Sequence, residues 1–219
     1  MTQTERDALI EAALTHVPFE GMNDRAIRSG ARDIGISDDM ARVHFPEGGA
    51  GLAAAYHRRG DAALRAELEA NPPQGRFRDR VAEAVWRRLQ LAEPELVRAG
   101  AATLALPQNA ALAARLVWET ADVIWTALGD SSDDVNWYSK RATLSAVISA
   151  SVLFWLGDES EGHAETRDFI DRRIDGVMRF EQIKGSLRKL PGAQALTGLA
   201  FGWIKAPRSR DLPGKSSNY

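Results

Sequence analysis

The histidines are the residues of this sequence best suited to catalysis or metal binding, and their spacing suits neither. His16, His44, His57 and His163 are scattered, and no H-E-x-x-H or Glu-x-x-His pair places two ligands on one helical face. The sequence has no cysteine, which excludes disulfides and thiol chemistry. We therefore expect no catalytic residue, no metal and no cofactor.

The glycine-rich segment at residues 48–51 could in principle cradle a phosphate. Such loops follow a strand and lie beside a Lys-Ser or Lys-Thr pair, and this segment has neither. No G-x-S-x-G nucleophile motif is present. Residues 48–51 are therefore interpreted as a hinge between helices.

Composition places the chain among ordinary globular proteins. Hydrophobic residues make up 44% and charged residues 26%, and the net charge of −2 gives no reason to expect nucleic acid. The N-terminal residues form neither a secretion signal nor an Arg-rich transit peptide. No apolar run reaches the roughly 18 residues of a membrane span. We expect a cytoplasmic protein, to which the C-terminal segment described below adds contact with the inner face of the membrane.

A predicted helix pair organises the chain. The stretch from Trp118 to Leu156 holds four of the six tryptophans. Apolar residues recur at helical spacing on both sides of a polar turn at residues 129–134, which predicts two antiparallel helices. Asp133 and Asp134 would then lie at the start of the second helix, where a carboxylate can accept from free backbone N–H groups.

The second helix of this pair mixes small and bulky side chains, and two interpretations stay open. Ala142, Ser145 and Ser149 let another group approach the backbone closely. That group is either a packed helix, because protein interiors are dense, or an apolar ligand in a hollow between bulky side chains. For the ligand interpretation, the expected lining residues are Trp118, Ala121, Trp125, Leu128, Leu144, Ile148, Ser151 and Trp155.

A motif in the same stretch resembles a known family. From Asp122 to Leu144 the sequence reads D-x-x-W-x-x-x-G-D-x-S-x-D-x-N-W-Y-x-x-R-A-x-L. This pattern resembles the signature of the accessory lipid-binding proteins of ubiquinone (coenzyme Q) biosynthesis, whose fold is similar to that of TetR-type regulators. Weaker resemblance runs from about Ile10 to Trp203 and includes R-x-L-x-L from Arg87 to Leu91 and L-A-L-P-Q-N at residues 104–109.

The resemblance implies an all-α, TetR-like bundle of about ten helices without catalytic chemistry of its own. Such a protein binds an isoprenoid quinone precursor or a phospholipid and presents it to a quinone hydroxylase. The expected binding pocket lies between the helices at residues 110–156. A lipid-free protein–protein adaptor is one alternative function, and a DNA-binding regulator is the other.

The resemblance also implies a docking surface for a partner. In the family, the N-W-Y-x-x-R motif is implicated in docking a di-iron quinone hydroxylase, which assigns this role to Asn136, Trp137, Tyr138 and Arg141. Tyr, Trp and Arg also dominate interface hot spots. A second interpretation stays open, in which Trp137 belongs to the core and Arg141 pairs with Asp122. A carboxylate on a mostly apolar helix needs such a partner if it is buried.

The DNA-binding alternative rests on residues 23–45. These residues follow the pattern of a helix-turn-helix with Ser37 as the cap of its last helix. TetR-type regulators have this arrangement. Residues 1–60 carry nine acidic and seven basic side chains, and the helix that would contact DNA begins with Asp38 and Asp39. Because phosphate contacts need cations, we expect no nucleic acid partner and a helix-turn-helix that serves as scaffold.

Apolar periodicity and breaking residues predict the remaining helices. Pro18 is expected to end the first of them. On the helix at residues 76–92, the arginines Arg78, Arg80, Arg87 and Arg88 are expected to face solvent. By analogy with the fold, the last bundle helices are expected to form a homodimer interface. The helices predicted outside the central pair span residues 2–16, 50–70, 76–92, 96–106 and 165–180.

The C-terminal segment has the composition of a membrane-interface helix. Its apolar residues are followed by Lys205, Arg208 and Arg210. Residues 193–206 would span roughly 21 Å as a helix, which is too short to cross a bilayer. A helix docked on its own bundle is the other interpretation. The expected membrane-contacting residues are Leu196, Leu199, Phe201, Trp203 and Ile204.

These patterns predict one domain over residues 1–206. A helix-turn-helix subdomain is expected at residues 1–47, a ligand-binding bundle at 48–182 and an amphipathic helix at 192–206. Residues 207–219 have the composition of a disordered tail.

Overall fold

The structure is a computed structural model that describes residues 3–132 and 135–188. Its regular structure in these ranges is helical, which confirms the predicted all-α class. The described residues form nine α-helices: α1 (Gln3–Glu20), α2 (Asp24–Asp33), α3 (Asp38–His44), α4 (Gly49–Ala70), α5 (Phe77–Gln90), α6 (Pro94–Leu104), α7 (Ala110–Ala127), α8 (Val135–Trp155) and α9 (Ala164–Arg188). Single-turn 3₁₀ segments precede α7 and α9.

Helices α1 to α3 form the N-terminal layer, and α2 and α3 are the predicted helix-turn-helix. The side chain of Asn23 caps α2, and the Ser37 hydroxyl accepts from the backbone N–H of Met40 at the start of α3. Helix α1 packs on α2 at very short range. A Cβ at Gly30 would lie 2.5 Å from the backbone nitrogen of Ala13, so only glycine fits there.

The first helix does not end where the sequence predicts. Helix α1 continues through Pro18 to Glu20. Proline removes one backbone hydrogen bond, but this proline is in the last turn, so little helix remains beyond it to be disrupted. Leu14 and Val17 are buried on the preceding turns, and their packing stabilises the helix up to its end.

Helices α4 to α9 form the larger bundle, and α4 connects it to the N-terminal layer. One apolar cluster joins α4, α5, α7, α8 and α9, and a second joins α1 to α4 with Leu96 of α6. The expectation that Arg78, Arg80, Arg87 and Arg88 face solvent is wrong, because all four are half-buried. Arg88 is the clearest case, since its side chain is only 12% exposed and is paired with Asp61. The reason is that α5 is covered on one side by α4, a contact that the pattern of α5 alone does not reveal.

Several predictions lie outside the described residues. Asp133 and Asp134, the membrane-contacting residues of segment 192–206 and the tail at 207–219 are among them. Within the described ranges, no helix combines the length and apolarity needed to cross a membrane.

Candidate functional site

An apolar cavity of about 290 Å³, here called the central cavity, lies among α4, α5, α6, α7 and α8. It is lined mainly by small and aliphatic side chains, a composition typical of small-molecule sites. The lining residues are Ala53, Tyr56, His57, Arg88, Leu89, Ala92, Leu96, Val97, Gly100, Ala101, Leu104, Ala105, Ala113, Leu116, Val117, Thr120, Ile148, Ser149, Val152, Leu153 and Trp155.

Exposure of these residues distinguishes the mouth of the central cavity from its floor. Leu153 is 70% exposed, and Ala105 and Ser149 are also exposed, so they mark the mouth. Leu89 and Thr120 are buried, at 3% and 1% exposure, and belong to the floor. The cavity therefore opens to solvent between α6 and α8 and ends against α4, α5 and α7.

Four polar side chains form a connected cluster at this floor, here called the polar corner. Arg88 Nε donates to Asp61 Oδ1 over 2.8 Å, and the Thr120 hydroxyl donates to the same carboxylate over 3.0 and 3.1 Å. His57 Nε2 lies 2.8 Å from Thr120 Oγ1. His57, Arg88 and Thr120 line the cavity, and Asp61 lies behind them.

The polar corner is electrically neutral. The Arg88 guanidinium balances the Asp61 carboxylate, and burial lowers the pKa of His57, so that its imidazole is uncharged at neutral pH. His57 Nε2 also lies 3.1 Å from the carbonyl oxygen of Leu116. Because a carbonyl can only accept, Nε2 carries the proton of the neutral ring.

Sequence reasoning missed the polar corner, although part of its signal was available. His57 and Asp61 are four residues apart and therefore share a face of α4. Arg88 and Thr120 come from helices whose packing the sequence does not reveal. Gly60 makes room for Arg88, since a Cβ there would lie 2.7 Å from the guanidinium carbon.

A larger cleft of about 460 Å³ lies between α5, α9 and the loop before α5. Its walls are charged, and their charges pair with one another. Glu83 accepts from Arg87 over 2.9 Å and from Arg167 over 2.9 Å. This cleft suits water better than an apolar ligand, so the central cavity is the better candidate site despite its smaller volume.

The eight predicted lipid-lining residues are distributed over three environments. Ile148 and Trp155 line the central cavity. Ser151 is fully buried, and its hydroxyl donates to the Val147 carbonyl over 2.8 Å. Trp118 is half-buried and stacks in a separate aromatic group. The other four pack in the core: Ala121, Trp125, Leu128 and Leu144.

That aromatic group contains two of the four predicted docking residues. The ring of Trp137 lies 5.8 Å from Trp118 and 4.8 Å from Tyr138, measured between centroids. Trp137 is 8% exposed and Tyr138 is 36% exposed, as expected for neighbours that point about 100° apart on a helix. Asn136 is half-buried on the first turn of the same helix.

Arg141, the fourth predicted docking residue, is buried and held by two carboxylates. Its Nε lies 2.7 Å from Asp122 Oδ1, and its Nη1 lies 3.1 Å from Asp130 Oδ2. Lys140 Nζ lies 2.7 Å from the other oxygen of Asp130. The Arg141 guanidinium also stacks on Trp137, with 4.0 Å between its central carbon and the ring centroid. Arg141 thus forms the expected pair with Asp122 and supports the aromatic group from below.

The Asp130 carboxyl fixes the turn between α7 and α8. Burial would raise its pKa, but hydrogen bonds from Lys140, Ser132 and Arg141 outweigh that effect and hold the pKa below its usual value. Asp130 is therefore ionised at neutral pH. Its role is to join the C-terminal end of α7 to the first turns of α8.

The face that would contact DNA is acidic and apolar. Asp38 and Asp39 are exposed on the first turn of α3, and Met40 and Val43 are exposed beyond them at 37% and 56%. Arg42 on the same helix is paired with Asp39 over 3.0 Å. This surface repels a phosphate backbone.

Comparison with solved structures shows the class of fold. The chain is similar to a TetR transcriptional regulator from Nitrosomonas europaea, with a TM-score of 0.62 and 19% identity, over 79% of this chain and 97% of that one. At this identity the likeness concerns the fold alone. The predicted TetR-like architecture is confirmed.

Comparison with known families then identifies the chain. Residues 110–181 match the COQ9 family, and this region includes α7, α8 and most of α9. The chain is 31% identical to the mitochondrial ubiquinone biosynthesis protein COQ9 of Drosophila melanogaster over 81% of this chain and 56% of that protein. It is 30% identical to the protein of the same name from Rattus norvegicus over 88% of this chain and 65% of that one.

The chain belongs to the COQ9 family, which confirms the predicted resemblance. It spans between about half and two thirds of the length of these two relatives. The matched region contains the aromatic group, the Arg141 pairs and the α7 and α8 walls of the central cavity.

Proposed function

We propose that this protein is a non-catalytic accessory protein of ubiquinone biosynthesis. It binds an isoprenoid quinone precursor or a phospholipid and presents it to a quinone hydroxylase at the surface of a membrane. The observation that carries the proposal is the central cavity, which is apolar, opens to solvent and borders the region shared with the COQ9 family.

Apolar burial supplies the binding energy in this proposal. A volume of about 290 Å³ holds roughly ten groups of methylene size, taking about 30 Å³ for each. At about 0.8 kcal/mol per buried methylene, the gross contribution is roughly 8 kcal/mol, from which the cost of association is subtracted. A long isoprenoid therefore places only part of its length in the cavity, and the remainder stays in the bilayer.

The aromatic group is the proposed docking surface for the hydroxylase. Tyr138 presents an exposed aromatic ring, while Trp137 and Arg141 support it from the buried side. A rigid aromatic anchor of this kind is typical of interface hot spots. Asn136 completes the proposed surface.

Two further parts of the proposal come from the family resemblance and the sequence. The C-terminal residues Leu196 to Ile204 provide the peripheral membrane contact, and the last bundle helices provide a homodimer interface. The relatives are named as mitochondrial proteins. In this proposal the membrane contact lies at the membrane where the hydroxylase works.

The ligand proposal is tested by solvent extraction of the purified full chain, with mass spectrometry of the extract scored as moles of lipid per chain. We expect near-stoichiometric isoprenoid or phospholipid. Val152→Trp fills the central cavity and should remove most of the bound lipid. Ala146→Trp, at an exposed position of the same helix, is the matched control and should retain the lipid. An extract at background level for the unaltered chain would contradict the proposal and favour a lipid-free adaptor.

The docking proposal is tested by co-purification with the hydroxylase. Tyr138→Ala should weaken the complex by roughly tenfold or more, as expected for a hot-spot aromatic residue, and leave the lipid content unchanged. Phe19→Ala removes another exposed ring, 89% exposed at the end of α1, and serves as the control. If both variants bind the hydroxylase with equal affinity, Tyr138 is not part of the interface.

A further inference from the structure

The polar corner has properties that a purely apolar cavity does not need. It places a histidine, a threonine and an arginine in a cavity wall that is otherwise mainly aliphatic, with Tyr56, Ser149 and Trp155 as the other non-aliphatic residues. Their buried carboxylate partner, Asp61, is costly to desolvate and is retained only because Arg88 and Thr120 satisfy it. A cavity that served only to hold a hydrocarbon chain would be simpler with aliphatic residues at these positions.

The hydrogen-bonding pattern of His57 leaves one acceptor for a ligand. Thr120 has a single hydroxyl proton, which it donates to Asp61, so its oxygen accepts from His57 Nε2. Within the described part of the chain, every hydrogen bond of the imidazole ring uses Nε2. In the neutral ring with a proton on Nε2, the other nitrogen, Nδ1, is an acceptor.

The charge of the polar corner disfavours an anionic head group. Arg88 is the cation of the cavity wall, and its guanidinium is already bonded to Asp61 and to the His57 carbonyl, the latter over 3.0 Å. A phosphate placed there would have to displace Asp61 or remain beside it. Either arrangement leaves a buried carboxylate or phosphate without full compensation.

We propose that the central cavity takes its ligand head-first, with a neutral hydroxyl-bearing aromatic head, a phenol, at the polar corner and the isoprenoid tail leaving through the mouth beside Leu153. This inference rests on the proposed function, because it assumes that the cavity is the ligand site. The His57 imidazole accepts from the phenol hydroxyl. The floor disfavours a phosphate head group, so a phospholipid would enter the cavity by its acyl chain, and the apolar mouth keeps contact with the isoprenoid tail.

The cavity volume accommodates this orientation. An aromatic ring with its hydroxyl accounts for about seven of the roughly ten groups that fit, which leaves room for less than one isoprene unit. The exposed Leu153 continues the apolar surface outward from the mouth. A ligand that entered tail-first would offer no hydrogen-bond donor to Nδ1 of His57.

The test compares three probes by calorimetric titration of the full chain. They are 2-geranylphenol, 2-geranylanisole and geranyl phosphate, of which the first two share a tail and ring and differ in the hydroxyl proton. We expect the phenol to bind about fivefold more tightly than the anisole, which corresponds to one neutral hydrogen bond of ~1 kcal/mol. Geranyl phosphate should bind most weakly.

Variants at His57 assign the preference to this residue. His57→Phe keeps a ring in the wall but removes the acceptor, and it should abolish the difference between phenol and anisole. His57→Gln supplies an amide oxygen as acceptor and should keep part of it. Ala146→Trp, outside the cavity, is the control and should preserve the full difference.

The outcomes separate this inference from the proposed function. Equal affinity for phenol and anisole in the unaltered chain overturns the head-first inference and leaves the cavity as an apolar site. Tightest binding of geranyl phosphate overturns it as well. Failure of all three probes to bind overturns both the inference and the proposed lipid-binding function. A phenol preference that is lost in His57→Phe supports the inference.

Discussion

Replacing Arg88 by Met should destabilise the protein strongly, although the substitution changes a single side chain on one face of α5. Arg88 is 12% exposed, and its Nε lies 2.8 Å from a carboxylate of Asp61 that is 6% exposed. Methionine has a similar length and fills the same space beside Gly60. The variant therefore removes the charge and hydrogen bonds while largely preserving the packing.

The size of the effect follows from the buried charge left behind. Breaking a buried ion pair by removing one partner costs about 3–5 kcal/mol, because the other charge stays uncompensated. Thr120 still donates to Asp61, which places the expected loss at the lower end, about 3 kcal/mol. That is a large fraction of the ~5–15 kcal/mol by which domains are normally stable.

The assay is urea unfolding followed by circular dichroism, for the single variants Arg88→Met and Asp61→Leu and for the double variant. The double variant removes both charges, so we expect it to recover most of the loss. A loss below about 1 kcal/mol for Arg88→Met, or a double variant whose loss equals the sum of the single losses, would refute the account of the polar corner as a coupled buried cluster.

Three further predictions concern stability. Because burial lowers the pKa of His57, the unfolded chain binds protons more readily than the folded one below about pH 6.5, so stability falls as the pH drops through that value. In His57→Phe, the difference between the urea midpoints at pH 7.5 and pH 5.5 should therefore be smaller, and an unchanged difference would contradict this. Gly30→Ala should lower the free energy of unfolding by at least about 2 kcal/mol, since its Cβ would meet the α1 backbone at Ala13, whereas Gly176→Ala, with open space around it, should be harmless; equal urea midpoints would contradict the close approach. Asp130→Asn should destabilise the protein at pH 7 and have less effect as the pH falls through the pKa of Asp130 in the folded protein, which is below its usual value. Urea unfolding at pH 7 and pH 3 measures this, and an effect that does not depend on pH would contradict a role for the ionised carboxylate.

The fold was accessible from the sequence because its signals are local. Ser37 caps α3, the apolar stripe with Val81 and Val85 marks α5, and Asn71 follows the last residue of α4 at the predicted break. The error at Pro18 has the same origin, because proline is normally a helix breaker. Here the packing of Val17 on the neighbouring layer outweighs the local signal.

The aromatic group, which is the proposed docking surface, was visible in the sequence because Trp137, Tyr138 and Arg141 are close together along one helix. The pairing of Arg141 with Asp122 follows from the same antiparallel arrangement of α7 and α8. The central cavity was not accessible in this way. Its walls come from five helices, and Leu89, Leu96 and Leu116 look like ordinary core positions until those helices are packed.

The polar corner shows this limitation most clearly. Arg88 belongs to a run of arginines on α5, and nothing in that run marks it as more buried than Arg78 and Arg87, whose side chains are 26% and 21% exposed. Its burial depends on Gly60 and Asp61, which lie on a different helix. Long-range contacts of this kind decide which charged residues are buried, and periodicity alone does not contain them.

The central claim, that the cavity among α4 to α8 is the lipid site, is tested most directly by photo-crosslinking. A short isoprenoid bearing a diazirine is added to the full chain, and labelled peptides are mapped by mass spectrometry. We predict adducts on cavity-lining residues within 89–105 and 148–155, and loss of these adducts in Val152→Trp but not in Ala146→Trp. Labelling confined to the surface around Trp118 and Tyr138, unaffected by Val152→Trp, would contradict the claim.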